Sequence, residues 1–290
     1  MRRYSGLFLN DFCRPLFRVS FFLGFALLIL SHLGCGSNSN VTSSNSTNSK
    51  WVLAWADEFS GSGLPDPTIW GFEEGGNGWG NNELQYYTAN RLENAKVEDG
   101  FLKITAIKET MGNRGYSSAR LVTRGKKTLL YGKVEARVKI PAGRGTWPAV
   151  WMLGQNIGVV GWPKCGEIDI MEHVGFDPNW VHGSVHTEAY NHIKGTQRTK
   201  KTNLTTAISD FHVYAIEWTP EKIDFLIDGN LYFTFNKESN ASANEWPFDE
   251  PQFILVNLAI GGNWGGQQGV DDSVFPVTYL IDYIRVYNLE

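Results

Sequence analysis

The sequence predicts an all-β fold, a two-sheet antiparallel sandwich, from three observations. Apolar residues alternate with polar ones at period two in several separate runs. Gly, Pro, Asn and Asp interrupt those runs at short intervals, as turns between antiparallel strands require. No stretch has the sustained 3.6-residue periodicity of a long amphipathic helix, and the absence of internal repeats favours a sandwich over a propeller.

The strands are expected at "FLKITAIK" (101–108), "YGKVEARVKI" (131–140), "FHVYAIEW" (211–218), "KIDFLID" (222–228) and "YLIDYIRVY" (279–287), each with one apolar face. Between two of these strand runs, "DGN" (228–230) signals a tight hairpin, because Gly tolerates the positive φ of such a turn. "FILVNLAI" (253–260) is apolar on both faces and is expected as a central strand covered on both sides.

The first residues have a different character. Arg2, Arg3, Arg14 and Arg18 precede the apolar run "FFLGFALLIL" (21–30) and then "SHLGC" (31–35), the layout of a secretory signal. The run is short for a membrane span. The ending resembles a bacterial lipoprotein signal in which Cys35 becomes the lipidated first residue, with His32 where an aliphatic residue is usual. Residues 1–34 are thus expected as a signal peptide, 35–50 as a Ser/Asn-rich tether and 51–290 as the folded domain. The expected location is the bacterial cell envelope or surface, with membrane attachment only through the lipid, or else plain secretion.

Composition excludes several classes of function. The formal charge is −4, and removing the leader, with four arginines against one aspartate, makes it more negative by three. No basic block follows, so nucleic acid is not an expected partner. Aromatic residues make up 13% of the chain, with 11 Trp, while charged residues are only 19%, which suits a flat aromatic binding surface. Cys165 is the sole cysteine downstream of Cys35, so no disulfide framework is expected. A small buried thiol is the plain reading of Cys165, with a nucleophile as the alternative.

The densest chemistry lies in "CGEIDIMEHVG" (165–175), where Glu167, Asp169 and Glu172 fall within six positions. On a strand, Glu167 and Asp169 share one face while Ile168 and Ile170 take the other. Strict alternation would put Glu172 on the isoleucine face, where an unpaired charge is very costly. An extra residue accommodated as a β-bulge at Met171 returns Glu172 to the acidic face. Four effective strand steps then separate the outer two Cα atoms by roughly 13 Å. Inward-leaning carboxyls come to about 5–6 Å, near the spacing of a retaining glycosidase. Crowding raises at least one pKa, which supplies an ionised nucleophile beside a protonated acid. By itself the pattern also fits a calcium-binding cluster or a solvated strand face.

The flanks are aromatic: "GTWPAVWML" (145–153), "FDPNW" (176–180) and "GGNWGG" (261–266). Indole rings stack on the apolar C–H faces of a pyranose and offer an N–H to its hydroxyls. Trp147, Trp151 and Trp264 are the candidate sugar contacts, and core packing is the alternative for any single Trp.

"GTWPAVWML", "WPKCGEIDIMEHVG" (162–175) and "HGSVHT" (182–187) together resemble glycoside hydrolase family 16, specifically its bacterial laminarinase-like branch. The resemblance extends from "ADEFSG" (56–61) through "NNELQYYT" (81–88) to "IDYIRVY" (281–287). It implies a β-jelly-roll with an open concave glycan cleft and retaining endo-hydrolysis of β-glucan. By motif it assigns Glu167 as nucleophile, Glu172 as general acid/base and Asp169 as the proton-sharing partner that tunes the nucleophile. It places Trp147, Trp151 and His186 in the cleft, with Asn82, Glu83, Arg120, Asn257, Trp264 and Gln267 in segments that contribute to it. A histidine merely satisfied within its strand is the alternative for His186.

Met171 distinguishes this branch from relatives whose motif lacks the inserted residue. The cleft segments are not basic, as sulfated galactans would demand. The resemblance therefore implies a β-1,3-glucan substrate, with mixed β-1,3-1,4-glucan as an additional one. It implies no catalytic cofactor, a monomer, and a structural calcium held by the Asp282 carboxylate and backbone oxygens near Glu58 and Gly100. Asp282 as a simple strand cap is the alternative. A transglycosylase and a noncatalytic glycan-binding protein on the same fold are the competing functions.

Overall fold

The structure, a computed structural model, describes residues 51–290. The expected signal segment, the tether and Cys35 lie outside the described residues. The described chain is almost entirely strand. In order it forms β1 (Trp51–Asp57), β2 (Gly71–Phe72), β3 (Gln85–Tyr87), β4 (Ala95–Glu98) and β5 (Phe101–Met111). Then follow β6 (Arg114–Ser118), β7 (Arg120–Val122), β8 (Gly132–Lys139) and β9 (Thr146–Gly154). A four-residue helix, α1 (Ile157–Val160), leads into β10 (Glu167–Glu172), β11 (Trp180–His186) and β12 (Arg198–Asn203). The chain closes with β13 (His212–Trp218), β14 (Lys222–Ile227), β15 (Asn230–Asn236), β16 (Gln252–Ile260) and β17 (Val277–Leu289).

These strands make two sheets, as the alternating runs predict. The larger runs β15-β14-β13-β8-β17-β5-β6-β3, with β1 on β17 and β4 on β5; the smaller runs β12-β11-β10-β9-β16-β7-β2. All pairs are antiparallel except β3 with β6. The connections that carry the chain between sheets give the jelly-roll sandwich. The β14–β15 hairpin turns where expected, with positive φ at both Asp228 and Gly229, the backbone of a type I′ turn. No helix among the described residues is long and apolar enough to cross a membrane.

The core lies between the sheets. The smaller sheet contributes Val150, Met152, Ile168, Ile170, Val181, Ile254, Val256 and Leu258, and the larger meets them with Leu102, Ile104, Val134, Ala136, Ile216, Phe225 and Ile281. Each such Val, Leu, Ile, Phe or Met side chain removed from water contributes about 1.5–3 kcal/mol. All nine residues of β16 are buried, because Ile254, Val256 and Leu258 face the core while Leu255, Asn257 and Ala259 sit under the opposite face. The burial of β16 on both sides is thus real, but one side is covered by the walls of a cavity rather than by a second sheet.

Strand β10 departs from regular pairing where the third acid demands it. Against β9 the register runs Glu167 to Leu153, Ile168 to Met152 and Asp169 to Trp151, then shifts so that Met171 faces Val150 and Glu172 faces Ala149. The same shift appears against β11, between Asp169 and Glu172. Ile168, Ile170 and Met171 all belong to the core cluster, so two consecutive residues, Ile170 and Met171, point inward. That inward pair is the bulge, and it carries Glu172 back to the side of Glu167 and Asp169. Just beyond it, Gly175 passes so close to Gly143 that a Cβ would stand 1.7 Å from the Gly143 carbonyl oxygen. The motif's last residue is therefore glycine for want of room.

Candidate active site

On the face of the smaller sheet turned away from the core lies a cavity of about 370 Å³. Glu167, Asp169 and Glu172 line it, with Trp147, Ala149, Trp151 and Leu153 from β9, Asn257 and Ala259 from β16, and Arg120 from β7. Trp79, Gly80, Asn81 and Glu83 close one side, and Ile157, Trp162, His192 and Ile193 the other. Strand pairing explains the convergence, since cross-strand partners point to the same face: Asp169 stands opposite Trp151, and Asn257 opposite Ala149.

The three acids are held by different partners. Trp162 Nε1 donates to Glu167 Oε2 at 2.9 Å, and Trp147 Nε1 donates to Glu172 Oε1 at 3.0 Å. His186, opposite Glu167 on β11, brings its Nε2 within 3.2 Å of Asp169 Oδ2 and 3.8 Å of Glu167 Oε1. These three residues bring potential metal-ligand atoms within 4.8 Å of one another, the same atoms that acid–base chemistry would use.

All three carboxyls titrate above the usual range. Burial is the largest cause for each, and the Asp169 charge adds to it at both Glu167 and Glu172. His186 and the indole N–H donors act in the opposite direction, favouring the ionised forms. Three acids in one low-dielectric site cannot all ionise, so they share protons as one coupled system. Cys165 is fully buried and its thiol is pushed up to about 12, first by burial, so it is a packed core residue and no nucleophile.

A second polar group supports the wall. Trp151 Nε1 donates to Asn257 Oδ1 at 2.7 Å, and Asn257 Nδ2 donates to the Tyr87 hydroxyl at 2.9 Å. The Tyr87 hydroxyl donates to Glu83 Oε2 at 3.3 Å, and Gln85 Nε2 donates to the same oxygen at 2.6 Å. Burial raises the Glu83 pKa. Arg120 lies between two indoles, 4.8 Å from the Trp79 ring centre and 4.7 Å from that of Trp151, and pairs with Glu73 at 2.6 Å.

The structure does not treat every sequence-chosen residue alike. Glu167, Asp169, Glu172, Trp147, Trp151, Glu83, Arg120 and Asn257 line the cavity together. Asn82 is exposed beside it and donates to Asn263 Oδ1 at 2.8 Å, joining the 81–83 and 261–267 segments. Trp264 is half-buried and packs edge-on to Trp147 at 5.5 Å and to His182 at 4.8 Å, without being among the lining residues. Gln267 is exposed on the following turn and is not among the lining residues. Sequence reasoning passed over Trp79, Trp162 and His192. Trp162 stood inside the quoted "WPKCGEIDIMEHVG", and its indole was the available signal.

The direction of the Glu172 shift has a consequence for stability. An unfolded Glu titrates near about 4.3. Because the folded value is higher, the native state keeps a proton that the unfolded chain has lost, and stability falls as pH rises across that interval. Glu172→Gln removes this dependence. Thermal melts should show the variant gaining progressively on the unmodified protein as pH rises above about 4.3. A melting difference constant with pH would contradict the buried, proton-holding state of Glu172.

Comparison with known proteins places the whole domain. The pattern described as "Glycosyl hydrolases family 16" matches residues 82–285. A β-glucanase of Rhodothermus marinus is 53% identical over 268 residues, covering 90% of this chain and 93% of that protein. A glucan endo-1,3-β-glucosidase of Cryptopygus antarcticus is 40% identical over 250 residues, covering 81% and 91%. The X-ray structure of the laminarinase from Rhodothermus marinus superposes with a TM-score of 0.81 at 53% identity, covering 84% of this chain and 99% of that one. With the acidic bulged strand and its indole partners in place, the chain belongs to glycoside hydrolase family 16.

Proposed function

We propose that the protein is a retaining endo-hydrolase of β-1,3-glucan that also accepts mixed β-1,3-1,4-glucan. The observation that carries this reading is the return of Glu172, by the β10 bulge, to the cavity that Glu167 and Asp169 already line. Relatives named as a β-glucanase and a glucan endo-1,3-β-glucosidase support the substrate class.

In this reading Glu167 attacks the anomeric carbon while Glu172 protonates the leaving glycosidic oxygen, giving a covalent glycosyl-enzyme. Glu172 then takes a proton from water as it hydrolyses that ester, restoring both carboxyls. Asp169 shares protons with Glu167 and is in contact with His186, so it tunes the nucleophile without bonding to sugar. The faces of Trp147 and Trp151 offer apolar platforms for pyranose rings. Glu167→Gln should lower kcat on laminarin by about 10³-fold or more, with unchanged folding. Proton NMR of the first products should show retained anomeric configuration, and inverted product would overturn the assigned roles.

We also infer a structural calcium remote from the cavity. Strand β17 pairs with β5 through Ile281 and with β1 from Ile284, so Asp282 sits at the gap between them. The register puts Glu58, just after β1, and Gly100, just before β5, beside the same gap. Asp282 there pairs with Arg137, and Glu58 uses its carboxylate on Arg285, which leaves the Glu58 and Gly100 carbonyls as the oxygen donors that suit a hard cation. Calcium bound only by the folded state should raise the melting temperature, and a chelator should reverse the rise. An Asp282→Asn variant should lose the response; a calcium response retained in that variant would remove Asp282 from the site.

The N-terminal pattern supports export with lipid attached at Cys35. Detergent phase partition of the full chain should send it to the detergent phase and Cys35→Ala to the aqueous phase. Aqueous partition of both would exclude the anchor.

A further inference from the structure

We propose that Trp162 and Trp147 are positioning residues that decide which oxygen of each catalytic carboxyl reacts. The inference rests on the hydrolase reading above and extends it to individual atoms. An indole N–H can only donate. Trp162 holds Glu167 Oε2 and Trp147 holds Glu172 Oε1, so one oxygen of each carboxyl is committed as an acceptor.

The chemistry that follows is specific. Glu167 Oε1, which the indole leaves on the side of His186 at 3.8 Å, forms the bond to the anomeric carbon as the glycosidic C–O bond breaks. Oε2 then becomes the ester carbonyl oxygen and keeps its hydrogen bond from Trp162. In Glu172 the carbonyl-type oxygen is the better acceptor, so the indole takes Oε1 and the transferable proton resides on Oε2. That proton goes to the departing oxygen, and the same Oε2 later accepts the proton of the attacking water.

Both indoles are themselves fixed. Trp162 packs against His192 at 5.1 Å between ring centres, and Trp147 packs edge-on against Trp264 at 5.5 Å. Trp264 stands off the cavity lining, yet it braces the ring that holds Glu172. The two donors arrive independently. Trp147 comes from the neighbouring strand β9, and Trp162 from the connection between α1 and β10.

The test is the pH profile of kcat/KM on laminarin for Trp162→Phe and Trp147→Phe, which keep an aromatic ring and delete the donor. The groups facing Glu167 are Asp169 and Glu172 on its own strand, Cys165 before it, His186 on β11 and Arg120 on β7. Those facing Glu172 are Asp169, Glu167 and His186, with His182 opposite it on β11 and Tyr232 on β15. Both substitutions leave all of these in place. Loss of a donor disfavours the ionised carboxylate, so each pKa should rise by about one to two units.

The nucleophile must be ionised, so Trp162→Phe should move the acidic limb upward by more than the alkaline limb. The acid must be protonated, so Trp147→Phe should move the alkaline limb upward by more than the acidic one. Limbs that stay put, or that move by equal amounts in either variant, would overturn the assignment. Where a Phe variant fails to fold, β-(3-benzothienyl)alanine at the same position keeps the indole shape without its N–H, and the same limb shifts are required of it. An unmodified protein that leaves laminarin intact at every pH would overturn the hydrolase reading itself. An active one with unmoved limbs would overturn only the role given to the indoles.

Discussion

The cost of placing a carboxylate among apolar side chains governs the centre of this molecule. Ile168, Ile170 and Met171 are anchored in the core between the sheets, and three acids alternate with them over the same six residues. A regular strand would send Glu172 into that core. The bulge resolves the conflict by turning two consecutive apolar residues inward, so that every acid reaches the cavity and every apolar residue reaches the core. Neighbouring strands have adapted to it, since both β9 and β11 shift register at the same place.

Gathering the acids creates the electrostatic condition that hydrolysis by two carboxyls needs. Burial and mutual repulsion hold their protons, while two indole N–H groups and His186 favour the charged forms. Opposed influences of this kind make the protonation of the acids a property of the whole set. The surrounding wall is built to stay still. Trp151, Asn257, Tyr87 and Glu83 are linked in one hydrogen-bonded chain, and Arg120 is clasped between two indoles and paired with Glu73. A connected buried network of this sort rigidifies the side chains that face the cavity.

Much of the fold was legible because a sandwich writes its faces into the chain. The run at 131–140 becomes β8, 211–218 becomes β13 and 222–228 becomes β14, each within a residue or two of its expected limits. The 253–260 run is buried throughout, as its composition implies. The site was legible in part. The acids were dense, their spacing was irregular in an informative way, and the motif around them is specific. Trp162 was missed as a partner of Glu167 because a loop side chain has no periodicity to declare its direction. Trp264, chosen for its glycine-flanked position, packs on Trp147, and Gln267, placed near the cleft by the resemblance, is exposed on the turn that follows.

The sequence by itself determined the all-β class, the faces of the main strands and the need for a bulge at Met171. Each follows from period-two alternation and from the penalty on a buried charge, which act along a few consecutive residues. Only the tertiary structure decided which distant segments meet at the acids. Trp147 reaches Glu172 from 25 positions away, and Tyr87 reaches Asn257 across 170. Such contacts depend on strand order and register, which alternation within a single strand does not encode.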